Sequence, residues 1–361
     1  MIKSKLLLLT TLSLVLLMML LASLVGCEKT TTTTTAAKPI TLIFSSHDPA
    51  KGSWAETYGP WFAAIEQRTK GMVKIEAHWN GELAGLFDAY NAASDGTVDI
   101  AHTMPTMTPN IFPMEDVAAL SSFDVINYGV SQQHTELTKA FPEMQAAYTK
   151  ANLKLLFKPV TFPNYFFMTK GNAIRTFADC KGKKFLSTGT WDSEVWKAFG
   201  MVPVSLMPQE TFTALQTGIV NGGVLTMPSL FDFNWGEVTP NVSVVNTRPA
   251  VWACVMNLKK WNSLPAEYQK IIEEESAKIP AIQDAIQLRL DKELKPKATQ
   301  QWGTQYFTVS PEELAKFTAA LQPVRAAFVA DMNAKGLPGQ KLMDEFLKLE
   351  KKYAGSAYAP K

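Results

Sequence analysis

Hydrophobic positions in the first part of the chain alternate between strand-like and helix-like spacing. The run Ile40–Phe44 is β-branched and aromatic and leads into the turn-like segment SSHDPAKGS, so it predicts a strand followed by a loop. The predicted elements that follow are a helix that begins with Trp61, Phe62 and Ile65 and stops at Gly71, a strand at 73–79, a helix at 86–94 and a strand at 98–101. This alternation is typical of an α/β core.

The second half repeats that order of elements with a different sequence. Strands are predicted at 153–158, 165–169, 184–187, 202–206 and 223–226, with helices at 193–199 and 211–216. From Pro265 onward the pattern is predominantly helical, with a break expected at Pro296 and a helix start at Ser310-Pro311-Glu312-Glu313. Two α/β cores and a helical C-terminal third predict two lobes, with a ligand in the crevice at the strand C-terminal ends.

The N-terminus changes this picture from a free protein to an exported one. Two lysines precede an apolar run from Leu6 to Val25, which is the order of a secretory signal, although an uncleaved membrane anchor has a similar length. Leu24-Val25-Gly26-Cys27 resembles the lipobox of bacterial lipoproteins, and a threonine-rich polar tether follows it. We therefore expect a lipoprotein signal peptide at 1–26, a lipidated Cys27, a tether at 27–38, and an extracytoplasmic protein held at a membrane.

Charge and cysteines exclude several other classes. The 361 residues carry a formal charge of +2, and removal of Lys3 and Lys5 with the signal would leave none, which argues against nucleic acid as a partner. After Cys27, the remaining cysteines are Cys180 and Cys254. An exported chain permits a disulfide, but two free buried thiols are the favoured interpretation.

No sequence motif for catalysis is present. The chain lacks the nucleophile elbow, the P-loop, the dinucleotide fingerprint and the paired-histidine zinc motif. Its four histidines have no metal-ligand spacing, and we expect neither a metal nor another cofactor. His102 is the histidine of interest because it ends the strand-like segment GTVDIAH, where a crevice is expected.

A family resemblance emerges from QETFTALQTGIVNG at 209–222. This segment resembles the sEvYtALQtGvvDG pattern of the solute-binding subunits of TRAP transporters, the DctP family. Five further segments match in order: EQRTKGMVKIE, NGEL with GTVD, ADCKGKK, FGMVPV and WNSLP. The resemblance implies a type II periplasmic-binding-protein fold, in which two lobes are joined by crossing strands and a long helix. On this basis we expect lobe I at 39–164 plus 252–295 and lobe II at 165–251 plus 296–361.

The same resemblance implies a changed solute site. The family carries an arginine that forks around a ligand carboxylate, and Leu186 matches its position here. A second basic position aligns near Phe166, and a polar position aligns near Leu225. All three departures favour a pocket that does not bind a simple carboxylate.

The side chains expected near the crevice are mainly apolar and aromatic. They are Tyr165, Phe166, Trp191, Leu225, Met227, Phe231, Phe233 and Trp235 from one lobe, and Trp54, His102 and Met104 from the other. We expect only some of them to contact a solute, because aromatic residues more often pack in a core. Such a pocket suits a neutral or aromatic molecule, or a cation held over aromatic faces.

The sequence thus predicts a lipid-anchored solute-binding protein without enzymatic activity. It would capture a small organic solute, close around it, and deliver it to the small and large membrane permease subunits of a TRAP transporter. The alternatives are a lipid-anchored surface hydrolase, for which no nucleophile and base pair is evident, and a ligand-sensing partner of a membrane receptor.

Overall fold

The computed structural model describes residues 38–125, 128–206 and 208–355. The predicted signal segment and Cys27 lie outside these residues, as does the predicted tether apart from Lys38. The strands are β1 Ile40–Ser45, β2 Val73–His78, β3 Ile100–Thr103, β4 Leu153–Phe157, β5 Val160–Thr161, β6 Asn164–Met168, β7 Lys184–Leu186, β8 Val202–Val204, β9 Gly222–Leu225, β10 Asn241–Thr247, β11 Ala250–Val251, β12 Ala253–Asn257 and β13 Gln305–Thr308.

The helices surround these strands. They are α1 Ser53–Arg68, α2 Ala89–Asp95, α3 Val130–Ala140, α4 Pro142–Lys150, α5 Thr190–Ala198, α6 Pro208–Gln216, α7 Met227–Asp232, α8 Leu258–Ser263, α9 Ala266–Ser276, α10 Ile279–Trp302, α11 Pro311–Ala320, α12 Gln322–Ala334 and α13 Gly339–Lys352. Short 3₁₀ turns lie at Pro105–Met107, Pro113–Leu120, Phe177–Cys180 and Trp235–Glu237. No helix in the described part of the chain is both long enough and apolar enough to cross a membrane.

The strands form two main sheets. The first has five strands in the order β2-β1-β3-β12-β4, with β1 parallel to both β2 and β3. The second has six strands in the order β13-β10-β6-β9-β7-β8 and mixes parallel with antiparallel pairs. The predicted α/β class is confirmed.

Two strand connections join the sheets. The chain leaves the first sheet after β4 and enters the second at β6, and it returns from β10 to β12. On the way, β5 and β11 pair antiparallel in a separate two-stranded ladder, with Ala250 opposite Thr161 and Val251 opposite Val160. These are the crossing strands that the family resemblance implies.

The long helix α10 is the third connection. Its 24 residues pack on α1, on α3 and on α7, so it contacts elements associated with both sheets. The sequence predicts a break at Pro296, and this prediction is wrong, because α10 runs through Pro296 to Trp302. Proline removes one backbone donor from a helix, but packing on several sides overrides that local preference.

The predicted boundaries differ from the structure to different degrees, and the largest difference is in α1, which begins at Ser53 rather than at Trp61. Ser310 caps α11, since its hydroxyl accepts a hydrogen bond of 3.3 Å from the backbone N–H of Glu313, as the sequence indicates. The apolar pattern that continues after this start is divided at Leu321 into α11 and α12, with Pro323 in the first turn of α12. Cys180 and Cys254 are free and buried, which confirms the favoured interpretation.

The second sheet buries both of its faces. Along β6, Phe166 and Met168 face one core, which includes Phe185, Trp196 and Phe317. Tyr165 and Phe167 face the opposite core, which includes Trp235 and Val242. Side chains alternate along a strand, so a residue's position in β6 decides which of the two cores it enters.

We predict that Gly236→Ala destabilises the fold. A Cβ at Gly236 would lie 1.9 Å from Trp302 Cε3 at the end of α10, where the indole packs on the backbone. Overpacking of this kind costs about 1–3 kcal/mol. Gly59→Ala is the matched control, because Gly59 is an exposed residue of α1 with nothing within 4 Å of the added Cβ.

Urea denaturation of both variants and the unchanged protein measures the effect. The free energy of unfolding should fall for Gly236→Ala and stay level or rise for Gly59→Ala. Equal stability of the two variants would contradict the close packing of Trp302 on Gly236.

Candidate functional site

Polar side chains gather where β1 and β3 end. The two strands are parallel, with Ser45 opposite Ala101, so their carboxyl ends meet at one edge of the first sheet. Ser45 is the last residue of β1, Ser46 and Asp48 follow it, and His102 is the second-last residue of β3. All four are buried.

His102 is held between a tyrosine and a carboxyl group. Its Nδ1 lies 2.6 Å from the hydroxyl of Tyr58, and its Nε2 lies 3.5 Å from Asp48 Oδ2. Burial, and then the charge of His47, lower the pKa of His102 well below its usual value, so the ring is neutral. Burial raises the pKa of Asp48 to about 7, although the Ser46 hydroxyl donates to its Oδ2 at 2.7 Å.

Two indoles enclose this histidine. Trp252 stacks on the His102 ring with centroids 4.7 Å apart, and on the His47 ring at 5.4 Å. Trp54, from the first turn of α1, lies 4.3 Å from the His102 centroid at an angle of 54°. Trp54 and His102 are therefore brought together, and Met104 is buried just beyond the end of β3.

The second sheet supplies an apolar surface at the end of β7. A Cβ on Gly223 would lie 2.8 Å from Leu186 Cδ1 and 3.2 Å from Trp235 Cη2, so these two side chains meet over the bare glycine. Six of the predicted residues belong to this one apolar cluster: Tyr165, Leu186, Leu225, Met227, Phe231 and Trp235.

Phe166 and Trp191 lie elsewhere. In the antiparallel pairing of β6 with β9, Phe166 is opposite Val224 and therefore faces away from Leu186, whereas Tyr165 is opposite Leu225 and shares its face. Phe166 is fully buried in the other core, and Trp191 packs edge-on against Phe328 of that same core. Strand alternation therefore assigns Phe166 to the core opposite Leu186, which corrects its expected place at the crevice. Trp191 lies in the first turn of α5 rather than in a strand, and its half-buried side chain packs against that same core.

Segments that follow strands of the two sheets approach each other. Asp232, the last residue of α7, accepts hydrogen bonds from Ser53 at the start of α1, the one from the hydroxyl being 3.4 Å long. Gly52 permits this approach, because its φ of 152° is unfavourable for other residues and an added Cβ would lie 2.7 Å from Asp232 Oδ1. Elsewhere a Cβ on Gly189 would lie 3.6 Å from the carbonyl oxygen of Thr106.

Three cations near the crossing strands and β6 already have carboxylate partners. The buried Arg248 pairs with Asp192 and donates to the Thr188 hydroxyl at 2.9 Å. Lys158 pairs with Glu115, and both are buried.

Lys295 is the third of these cations. It lies 2.8 Å from Asp291 Oδ2 and 2.9 Å from the Tyr165 hydroxyl. Arg175 is far from this group, since its guanidinium covers Phe307 in β13, at the opposite edge of the second sheet from β7 and β8.

Sequence reasoning missed four residues of this arrangement: His47, Asp48, Asp232 and Trp252. The polar run Ser45 to Asp48 directly after a strand was a usable signal, because strand ends of α/β sheets carry binding residues. Trp252 was hidden in the apolar run VWACVM, and Asp232 stood between two phenylalanines.

Comparison with known proteins identifies the family. The profile of "Bacterial extracellular solute-binding protein, family 7", DctP, matches residues 44–331. A solute-binding protein of Sulfitobacter sp. (strain NAS-14.1) is 25% identical over 281 residues, covering 76% of this chain and 82% of the relative. The C4-dicarboxylate-binding periplasmic protein DctP of Rhodobacter capsulatus is 23% identical, covering 84% of this chain and 91% of the relative.

A solved structure agrees over nearly its whole length. The TRAP solute-binding protein of Rhodoferax ferrireducens T118, in complex with copurified benzoate, superposes with a TM-score of 0.79 at 23% identity. The match covers 87% of this chain and 98% of that one. The two-sheet fold, the crossing strands and the family profile lead to one conclusion: this chain belongs to the DctP family and is a solute-binding protein of the TRAP type.

Proposed function

We propose that this TRAP solute-binding protein captures a small organic solute that is not a simple carboxylate. The observation that carries the proposal is Leu186, which ends β7 packed over Gly223 against Trp235. An isobutyl group offers no donor to an ionised oxygen, and it excludes water that would otherwise solvate one. A carboxylate placed there would lose its hydration without gaining a partner.

The neighbouring cations support the same proposal. Arg248, Lys158 and Lys295 are already paired with Asp192, Glu115 and Asp291. Removing a partner from either of the two buried pairs, those of Arg248 and Lys158, costs about 3–5 kcal/mol because the other charge is left uncompensated. Arg175 would have to act from the far edge of the second sheet.

The aromatic residues favour a solute with a ring or another flat group. Trp54 and Trp252 lie on the first-sheet side of the crevice, and Trp235 lies on the second-sheet side. The benzoate in the Rhodoferax protein supports the idea that this fold accepts a ring of that size. Residue 186 is not an arginine in this chain, which argues that its solute lacks the acid group that benzoate has.

We propose that the protein works by closure and performs no chemistry. Solute contacts shared by the two lobes, 39–164 plus 252–295 and 165–251 plus 296–361, would stabilise the closed form that docks on the permease subunits. Cys27, lipidated after removal of residues 1–26, would hold the protein at the extracytoplasmic face of a membrane, with residues 27–38 as a tether.

The first prediction from this proposal concerns solute class. Succinate and sialic acid should leave the melting temperature of the unchanged protein where it is, while neutral or cationic aromatic solutes should raise it. Leu186→Arg should abolish the aromatic response and allow weak succinate binding, because a guanidinium is a bidentate carboxylate donor.

Leu186→Met is the matched control, since it keeps side-chain volume and adds no charge. Thermal shifts followed by calorimetry on the three proteins provide the measurement. Succinate binding to the unchanged protein at about 1 μM or tighter would refute the proposed solute class.

A second prediction concerns closure. The solute with the largest thermal shift should decrease the radius of gyration measured by small-angle scattering. Gly52→Ala should reduce this change, because its Cβ would meet Asp232 Oδ1 at 2.7 Å and oppose the approach of the two sheets. Gly59→Ala should compact like the unchanged protein; no compaction in any of them would rule out closure.

A third prediction concerns the membrane. In cells, labelled palmitate should enter the unchanged protein, and Cys27→Ala should release it as a folded protein that no longer sediments with membranes. Its melting temperature should match that of a chain starting at residue 38, because the buried core residues of the described part all lie between Leu42 and Tyr353. Failure of palmitate to label the unchanged protein would disprove lipidation.

A further inference from the structure

We propose that the solute is an organic cation, with an ammonium or amidinium group that binds between Asp48 and Asp232 against the indoles of Trp54 and Trp252. The inference rests on the proposed function, since it names the solute class of the same site. It follows from charge, from unpartnered buried atoms and from the aromatic geometry.

Asp48 and Asp232 have no lysine or arginine partner in the part of the chain that the structure describes. Asp48 follows β1 and Asp232 ends α7, so each sheet contributes one carboxyl group. Within the described residues, neither acid forms a salt bridge with a lysine or an arginine, and the ion pairs of Asp48 involve only His47 and His102. Burial keeps both of these histidines neutral by lowering their pKa values, to about 4 for His47.

The raised pKa values of Asp48 and Asp232 agree with this lack of a positively charged partner. Burial raises the pKa of Asp48 to about 7. Burial, and then the charge of Asp48, raise the pKa of Asp232 to about 6, and the nearby Glu56 acts in the same direction. A bound cation would stabilise the ionised form of both acids and reverse these shifts.

A buried ring nitrogen beside Asp48 also lacks a hydrogen-bond partner. Tyr58 keeps its proton, because burial raises the pKa of its hydroxyl well above the usual value, and its hydroxyl lies 2.6 Å from His102 Nδ1. The other ring nitrogen of His102, Nε2, is on the side of Asp48. That atom is fully buried, lies 3.5 Å from Asp48 Oδ2, and forms no hydrogen bond with any described residue.

Other buried atoms nearby share this state. Ser45 Oγ, His47 Nδ1 and Trp252 Nε1 also lack a hydrogen-bond partner among the described residues. Leaving such an atom unsatisfied is unfavourable. The N–H groups of an ammonium or amidinium would supply a donor to Ser45 Oγ, whereas the indole N–H of Trp252 needs an acceptor atom elsewhere on the solute.

The indoles provide the remaining contact. Trp54 and Trp252 meet edge-on at 70° with centroids 5.6 Å apart, and the His102 ring packs against both. A cation over a free indole face is attracted by the ring, more strongly when it is shielded from water. A group held by both acids would also join the two sheets, which gives the cation a direct role in closure.

The experiment uses three ring compounds of the same shape and different charge. Benzamidine is a cation at pH 7, benzamide is neutral and benzoate is an anion. Calorimetry would be performed on the mature protein, on Asp48→Asn and Asp232→Asn, and on Asp344→Asn as the control, because Asp344 is exposed on α13. Circular dichroism of each variant checks that it folds.

Benzamidine should bind the unchanged protein at least about tenfold tighter than benzamide or benzoate. Each crevice variant should lose about tenfold or more of that affinity, and Asp344→Asn should lose none. Titration in two buffers of different ionisation enthalpy should show that benzamidine binding releases protons at pH 7, and Asp48→Asn should release fewer.

The outcomes separate this inference from the proposed function. Equal binding of benzamide and benzamidine, with no binding of benzoate, would overturn the inference that the solute is a cation. It would leave the proposed function standing. Preference for benzoate overturns both. No binding of benzamidine up to about 10 mM overturns the cation inference, as does unchanged affinity in Asp48→Asn and Asp232→Asn.

Discussion

The arrangement of the whole molecule depends on the buried hydrogen bonds of α10. Thr57 of α1 donates to Gln283 at 2.5 Å, the backbone N–H of Ser131 in α3 donates to Asp284 at 3.0 Å, and the Tyr165 hydroxyl in β6 donates to Asp291 at 2.9 Å. One helix therefore bonds to a helix of the first sheet, to α3 and to a strand of the second sheet. Buried polar groups tolerate few alternative geometries, so these bonds fix where the strand ends of the two sheets face each other.

With the sheets so placed, the crevice has two chemically different sides. The first-sheet side is polar and aromatic, with neutral histidines and the carboxyl group of Asp48, whose pKa burial raises to about 7. The second-sheet side is apolar at Leu186 and Trp235 and contributes one acid, Asp232. A solute that satisfies both sides needs a flat apolar part and a polar or charged end, and the two requirements come from different lobes.

Sequence predicted the fold more fully than it predicted the site. Alternation and helical spacing located most strands and helices because those patterns are local. The continuation of α10 through Pro296 was not predictable, since it depends on packing from distant elements. Phe166 shows the limit within the site, because a shift of one residue moves a strand side chain to the opposite core. The roles of Asp48 and Trp252 depend on both residues lying beside His102 in the folded chain, and no local sequence pattern encodes that proximity.

The two buried thiols have a consequence for how the chain reaches its mature state. Cys254 lies in the first sheet, opposite His102, whereas Cys180 packs in the core on one face of the second sheet. Each is shielded within a different core, so oxidation cannot cross-link them once the chain has folded. The described part of the chain therefore owes its stability to non-covalent packing. Its folding should be independent of the thiol oxidases and isomerases on which disulfide-bonded proteins rely.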